Sequence, residues 1–353
     1  MNVAVIGAGI GGSHIEGFLA HPDKFNVAMI CDLDLERADK ARGSIENCEI
    51  TTDIAAVLRN PDIDLVCNCL PPHLHYPVMM DALRADKNVV CEKPFTTSLA
   101  EADAVVALAE QRGKQVFPVF QYRYGHGYQK LLHLIEQDMV GKPYTAALET
   151  HWQRGDAYYA VPWRGTWASE RGGAIVGHAI HIHNLVCCAL GPVAQVAAFL
   201  DTRVNDIETD DCGAISLKMQ SGALVTSSIT LGAANDSSRL RLCFEHVTAQ
   251  SDVLPYSIGD GSWTFTATDP NKQQEIDAAV ATVPEGKLRF SGLYGEIYGA
   301  LTGRSGANPP NMQDARHSIE LISAIYQSSR NSEVVSLPLG TSSAIYNGWV
   351  PSP

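Results

Sequence analysis

The 353-residue chain has no run of about 18 apolar residues, the length an α-helix needs to cross a bilayer, so no membrane partner is expected. No basic segment precedes its first apolar run, which starts at Asn2 and reads as a strand. A signal peptide is therefore not expected, and the expected compartment is the cytoplasm. Basic residues are in deficit, 26 Lys and Arg against 39 Asp and Glu, for a formal net charge of -13. That charge repels phosphate backbones and no basic stripe offsets it, which argues against a nucleic-acid partner. Low-complexity tracts and charge blocks are also absent. With 45% hydrophobic and 18% charged residues the chain has the composition of an ordinary globular protein, without a tail or long linker.

Cysteine is not scarce, but zinc spacings are. Of nine cysteines, Cys67 and Cys69 sit two apart in a strand-like run and Cys187 and Cys188 are neighbours in a helix-like one. Neither arrangement is a zinc spacing, so no metal is expected and the cysteines read as small buried hydrophobes in a reducing compartment.

The length exceeds what one core holds, and two domains are expected, at 1–122 and 123–353. Up to about Phe120, short β-branched runs alternate with helix-length amphipathic segments. The strand candidates are VAVI, NVAMIC, DLVCNC, NVVCE and QVFPVF; the segments around Ile15, Glu36, Ile54, Pro77 and Ala104 read as crossover helices. Five such strands predict an α/β doubly wound parallel sheet, nearly a complete dinucleotide-binding domain. After Arg123 strands follow one another from about 193 to 270, with turns expected at Gly222 and at Asp236, Ser237 and Ser238. Helical stretches at roughly 125–138, 172–189, 286–302 and 311–329 complete an α+β domain with a large, mainly antiparallel sheet.

Val3 to Ile6 run directly into Gly7, Ala8, Gly9, Ile10, Gly11 and Gly12, and a helical pattern follows from His14. In this strand, GxGxxG, helix order Gly7 permits the tight turn, Gly9 lets backbone approach a pyrophosphate, and Gly12 allows close helix packing; the helix N-terminus offers donors and partial positive charge. Asp32 ends the second strand twenty residues later, where an acid accepts hydrogen bonds from ribose hydroxyls and repels a 2′-phosphate. NAD is thus expected over NADP, with Arg37 and Arg42 too far along the helix to serve as phosphate ligands.

The strand Asn88–Cys91 ends in Glu92, Lys93 and Pro94, where open α/β sheets place ligands. Together with the glycine loop and with Leu70, Pro71, Pro72 and His75 after the preceding strand, this resembles the Gfo/Idh/MocA family of oxidoreductases. The resemblance covers essentially the whole chain. It is carried by the glycine loop, by LPPHLHYPVMMDALRADKNVVCEKP, by RGGAIVGHAIHIHNLV, and by DARHSIELISAIYQSSR with the following VVSLP. It implies that Lys93 lies near the nicotinamide and the substrate hydroxyl, before a proline that is often cis. It also implies that Gly7, Gly9, Ile10, Gly12, Asp32, Leu70, Pro71, His75, Glu92, Lys93 and Gln121 contact the cofactor. Lysine is a residue type whose proton affinity moves readily near other positive charge, which suits exchange beside an oxidised nicotinamide.

Residues GGAIVGHAIHIHNL resemble the family's second motif, in which an aspartate precedes a histidine by four residues. His181 takes the histidine position, but Gly177 stands at the aspartate and Asn184 at a later position often acidic. On a regular helix Gly177, His181 and Asn184 share a face, with His178 one turn from His181. His178, His181 and His183 cannot all converge from one regular helix, so they read as non-metal. The expected chemistry moves hydride from a secondary alcohol to the nicotinamide while His181, helped by Lys93, takes the hydroxyl proton. His178, Asn184 or Glu149 stands in for the missing aspartate.

The segment HWQRGDAYYAVPWRGTWASERGG, dense in aromatics and arginine, reads as a loop over the substrate. Trp163 and Arg164 are its expected contacts, with Lys93, His178 and His181. The resemblance implies a sugar, inositol or glycoside substrate and a homodimer or homotetramer. Two alternatives stay open: an NAD-dependent glycosidase working by transient C3 oxidation, elimination and re-reduction, and a non-catalytic nucleotide or sugar sensor.

Overall fold

A computed structural model describes residues 1–351 and divides into two compact units. The first comprises Met1–Gln121 and Lys287–Arg316; the second comprises Tyr122–Gly286 and the chain from His317 onward.

In the first unit the strands are β1 (Asn2–Ile6), β2 (Asn26–Cys31), β3 (Glu49–Thr51), β4 (Leu65–Asn68), β5 (Asn88–Cys91) and β6 (Val116–Pro118). They alternate with α1 (Ala8–Leu19), α2 (Leu35–Arg42), α3 (Ile54–Arg59), α4 (His75–Arg84) and α5 (Leu99–Arg112). All pairings are parallel, in the order β3-β2-β1-β4-β5-β6. Burial on both sheet faces explains the continuous apolar runs: every residue of β4 is buried, as are Val3 to Ile6. The order reverses between β1 and β4, and a switch point of this kind opens a crevice beyond the carboxyl ends of the strands. The sixth strand, β3, is a three-residue edge segment whose EIT pattern is too short to stand out from its flanks.

The second unit contains α6 (His126–Glu136), β7 (Pro143–Gln153), the single turn α7 (Asp156–Tyr159), a π-helical turn at Ile175–Ala179 that runs into α8 (Ile180–Leu190), and β8 (Val193–Asp201). It continues with β9 (Cys212–Met219), β10 (Leu224–Thr230), β11 (Gly232–Phe244), β12 (Val247–Gln250), β13 (Thr264–Ala267) and α9 (Gln273–Ala281). The chain then supplies α10 (Arg289–Leu301), crosses back in α11 (Met312–Asn331) and ends with β14 (Val335–Ser336). The eight strands are ordered β13-β12-β11-β7-β10-β9-β8-β14 and are antiparallel except for β7 with β10. Alternation such as eBeBeBi in β10 gives the sheet one buried and one exposed face. Among the described residues no helix is long and apolar enough to cross a membrane.

Three expectations are corrected. A single cut at 122–123 assigns residues 287–316 to the second unit, whereas α10 belongs with the first. The reason lies at Gly17 of α1: a Cβ there would come within 2.7 Å of Phe290 and 2.9 Å of Tyr294, so the glycine lets the two helices touch. Phe18 stacks on Tyr294 at 3.7 Å, a pairing worth about 0.5–1.5 kcal/mol beyond its buried area. Second, the polar run Asp236–Ser238 is not a turn. It lies inside β11 at a break in register against β7, where the Asp236 carboxylate accepts from the Gln153 amide at 2.5 Å and pairs with Arg154 at 3.2 Å. Turn-forming residues here make a bulge, because side-chain acceptors take over the lost ladder bonds. Third, α9 is a helix where none was expected.

Candidate active site

Gly7 caps the N-terminal end of α1 at φ +96, and a Cβ would lie 2.7 Å from the Cys69 carbonyl oxygen, so both conformation and space demand glycine. At Gly9 and Gly12 an added Cβ would meet nothing within 4 Å, and Ile10 between them is exposed. The glycine that permits close helix packing is Gly11, where a Cβ would come 2.9 Å from Val5. That role therefore belongs to Gly11 and not to Gly12, whose outer side is open like that of Gly9. Asp32 is buried at the end of β2 and accepts from the Ala8 amide at 2.7 Å. Arg37 folds back onto it, with Nη2 2.6 Å from Oδ1 and Nε 3.1 Å from Oδ2. Burial opposes the charged carboxylate, but Arg37 and the amides of Asp34 and Ala8 outweigh it and hold Asp32 below the usual carboxylate range. Arg37 is thus not too distant for the ribose end of the site: the helix starts so soon after Asp32 that a five-residue separation closes on it.

At the ends of β4 and β5 the structure builds a second loop. His75 is buried, with Nδ1 2.6 Å from the Pro94 carbonyl oxygen and Nε2 2.7 Å from that of Leu70, so it ties the two loops together. Pro71 precedes the short 3-10 turn Pro72–Leu74, and the Lys93–Pro94 peptide is cis. The Lys93 amide donates to Glu92 Oε2 at 3.0 Å, while Glu92 Oε1 lies 2.9 Å from Nε2 of His14 on α1. The helix that starts at the glycine loop and the loop that carries Lys93 therefore share one hydrogen-bond chain. Gln121 ends this unit with its Oε1 buried and without a hydrogen-bond partner.

In the second unit the regular-helix assumption fails at one turn. Residues 175–179 are π-helical, a form found most often as a single turn at functional sites, so the four-residue step from Gly177 to His181 is not that of an α-helix. Asp210 accepts from the amides of Gly173 and Ile175, each at 3.0 Å, and from the Tyr326 hydroxyl at 2.5 Å, fixing where the turn begins. His181 is buried and stacks on Tyr122 at 4.4 Å. Asn184 accepts from Arg123 Nε at 2.9 Å, and His178 packs against Trp152 at 4.9 Å and Tyr158 at 5.7 Å. His183 points elsewhere: Nε2 meets Ser227 Oγ at 3.0 Å, Nδ1 is buried without a hydrogen-bond partner, and burial pushes its pKa down to about 4. Among the described residues the three imidazoles form no ligand group.

The aromatic segment before the helix is held by cations. The Arg164 guanidinium lies 3.8 Å from the Tyr158 ring centre and 4.4 Å from that of Trp163, and its Nη1 is 3.8 Å from Glu170 Oε1. Glu170 is buried, and its Oε2 accepts from the Gly165 amide at 2.5 Å. A Cβ at Gly177 would lie 3.9 Å from Glu170 Oε1 and near nothing else. Of the stand-ins named for the missing aspartate, Glu149 is paired with Arg239 across β7 and β11, and Asn184 is engaged by Arg123. Sequence reasoning missed Glu170. The only signal was a lone acid among aromatic and small residues, seven positions before Gly177.

Two family models match the chain: an oxidoreductase family with an NAD-binding Rossmann fold over residues 1–120, and the GFO/IDH/MocA C-terminal domain over 128–250. The chain belongs to the Gfo/Idh/MocA oxidoreductase family. An uncharacterised oxidoreductase of Synechocystis is 29% identical over 62% of this chain and 62% of its own length. An inositol 2-dehydrogenase of Rhodococcus jostii is 29% identical over 40% of this chain and 39% of its own, so these matches span about three-fifths and two-fifths of those relatives. Among solved structures, the WlbA dehydrogenase of Chromobacterium violaceum in complex with NADH and UDP-GlcNAcA matches at 26% identity and TM-score 0.83, over 96% of each chain. Levoglucosan dehydrogenase in complex with NADH and levoglucosan matches at 19% identity and TM-score 0.81, over 96% of this chain and 100% of that one, and shares the fold.

For a Gfo/Idh/MocA protein the loop geometry fits a dinucleotide. Gly9 and Gly12 leave open backbone where a pyrophosphate needs close approach, the α1 N-terminus supplies donors, and Asp32 supplies a buried acceptor three strands from Lys93. Gln121 Oε1 adds an unspent acceptor suited to a carboxamide.

Proposed function

We propose that the chain is an NAD-dependent dehydrogenase that takes hydride from a secondary hydroxyl of a sugar, inositol or glycoside. The observation that carries this reading is the tie from α1 through His14 and Glu92 to the Lys93 backbone, 2.9 Å and 3.0 Å long, which couples the helix after the glycine loop to the lysine loop that follows β5. The nicotinamide, when bound, supplies the hydride acceptor. The protein's own part is orientation and proton handling. Gly7, Gly9, Gly12 and Asp32 hold the dinucleotide, and Gln121 accepts from its carboxamide. Lys93 and His181 handle the hydroxyl proton, with the imidazole pressed flat on Tyr122 so that its nitrogens keep a fixed direction. Glu170 supplies the carboxylate absent at position 177, acting as a positioning residue for the imidazole helix. Trp163 and Tyr158 offer faces for a sugar ring, with Arg164 between them. A homodimer or homotetramer is part of the same reading.

The test is a panel of monosaccharides, inositols and glycosides, read in parallel for NADH absorbance and aglycone release. Net NADH with a cyclic polyol or sugar is the expected result. Aglycone release without net NADH assigns the glycosidase chemistry instead, and silence in both channels across the panel overturns the enzyme reading.

A further inference from the structure

Cys67 and Cys69 are not inert hydrophobes. Both lie on the side of the sheet covered by α1, and Cys67 Sγ is 3.3 Å from Nδ1 of His14 and 3.5 Å from Cys69 Sγ. Tyr294 of α10 closes the group, with its hydroxyl 3.5 Å from Cys67 Sγ and in contact with His14 Nδ1. His14, Cys67, Cys69 and Tyr294 are all buried, and one ligand atom from each of His14, Cys67 and Cys69 lies within 4.8 Å of the others.

We propose that His14, Cys67 and Cys69 form a buried zinc site in the first unit, with the Tyr294 hydroxyl closing the fourth side. Zinc held tetrahedrally by sulfur at about 2.3 Å and nitrogen at about 2.0 Å separates two sulfurs by roughly 3.8 Å and a sulfur from a nitrogen by roughly 3.6 Å. The observed 3.5 Å and 3.3 Å need an opening of a few tenths of an ångström. Two thiols and an imidazole are the donor set of a soft, redox-inert dication and not of magnesium or calcium. The imidazole is also prepared from behind: Nε2 donates to Glu92 Oε1 at 2.9 Å, so Nδ1 presents its lone pair to the sulfurs and the Tyr294 hydroxyl.

Charge balance closes as well. Two thiolates and a neutral imidazole offset the two charges of the ion, the thiol protons leaving as it binds. That removes the uncompensated charge that makes buried ion pairs costly. The ion would join α1, β4 and α10 and stand behind Glu92, whose other oxygen holds the Lys93 amide.

Metal content is the direct test, and it needs neither substrate nor NAD, so its failure is separate from failure of the dehydrogenase reading. Untagged protein from zinc-containing medium should carry about one zinc per chain by elemental mass spectrometry, and cobalt-substituted protein should show thiolate-to-cobalt charge-transfer absorption. A C67A/C69A variant should lose both signals, and His14→Gln should lose most of the zinc, with folding checked by circular dichroism. Cys188→Ser, an exposed cysteine, should retain both. Wild type with less than about a tenth of a zinc per chain and no cobalt band overturns the site, as does a folded C67A/C69A variant that keeps its metal.

Discussion

The glycine loop of the first unit and the histidine helix of the second are built by opposite means. At the loop, backbone does the work: Gly7 is required by φ and by the Cys69 carbonyl, while Gly9 and Gly12 leave the backbone open on their outer side. At the helix, side chains far apart in sequence do it, since Asp210 caps the π turn, Tyr122 and Arg123 hold His181 and Asn184, and Glu170 comes up to Gly177. A backbone-made site is local in sequence and tolerates side-chain change around it. A side-chain-made site is distributed, and its parts can be exchanged, which is the role proposed for Glu170 beside Gly177.

Substitutions can break this contrast, and the largest effect is expected where chemistry depends on one atom. Lys93→Ala should lower kcat/KM for the substrate found by about 10³-fold with folding intact. A loss within a few-fold would remove Lys93 from the proton path. Next is Glu170→Gln, which keeps shape and hydrogen bonding to Gly165 but removes charge; kcat should fall by roughly 10²-fold with a displaced pH profile and KM little changed. Adding the family's aspartate back through G177D should restore part of the loss in the Glu170→Gln background. If Glu170→Gln keeps the wild-type profile, the exchange of carboxylates is wrong and the two regions differ less than argued.

Smaller, and on the backbone-made side, is Asp32→Ala. Removing one ribose acceptor should weaken NAD by about tenfold and leave Arg37 free to meet a 2′-phosphate, so NADP should gain. Binding titrations with both nucleotides read this directly. Unchanged discrimination would mean that the Asp32 and Arg37 pair serves only the fold.

Legibility followed the same divide. The parallel sheet, its crossover helices and the glycine loop were visible because each is written in a contiguous stretch, a strand ending in GxGxxG or an apolar run bounded by turns. The return of α10 to the first unit was not, since its cause is the absence of a side chain at Gly17 some 270 positions earlier. Glu170 and Asp210 were missed for the same reason: their partners are neither three nor four residues away. The neighbour of Cys67 and Cys69 was not legible either, because His14 lies 53 residues upstream of Cys67 on another element. Spacing rules find side chains that meet on one turn or hairpin and are blind to side chains gathered by a sheet.

The smallest effect expected separates histidines that serve the site from one that serves the fold. His183 is buried with its pKa lowered to about 4 by desolvation, while the unfolded chain titrates near 6.5. The folded state binds the proton less tightly than the unfolded state. Its contribution is therefore complete above pH 6.5 and is lost as pH falls from there towards 4, by about 2 kcal/mol at pH 5. His183→Gln keeps a donor for Ser227 and removes the titration. The wild type should be the more sensitive of the two to acid, the gap in Tm between them narrowing or reversing by a few degrees between pH 7 and pH 5. Parallel curves would show that His183 does not stay neutral in the fold. With the predicted slope, the third histidine of the helix is a core residue, neutral in the fold.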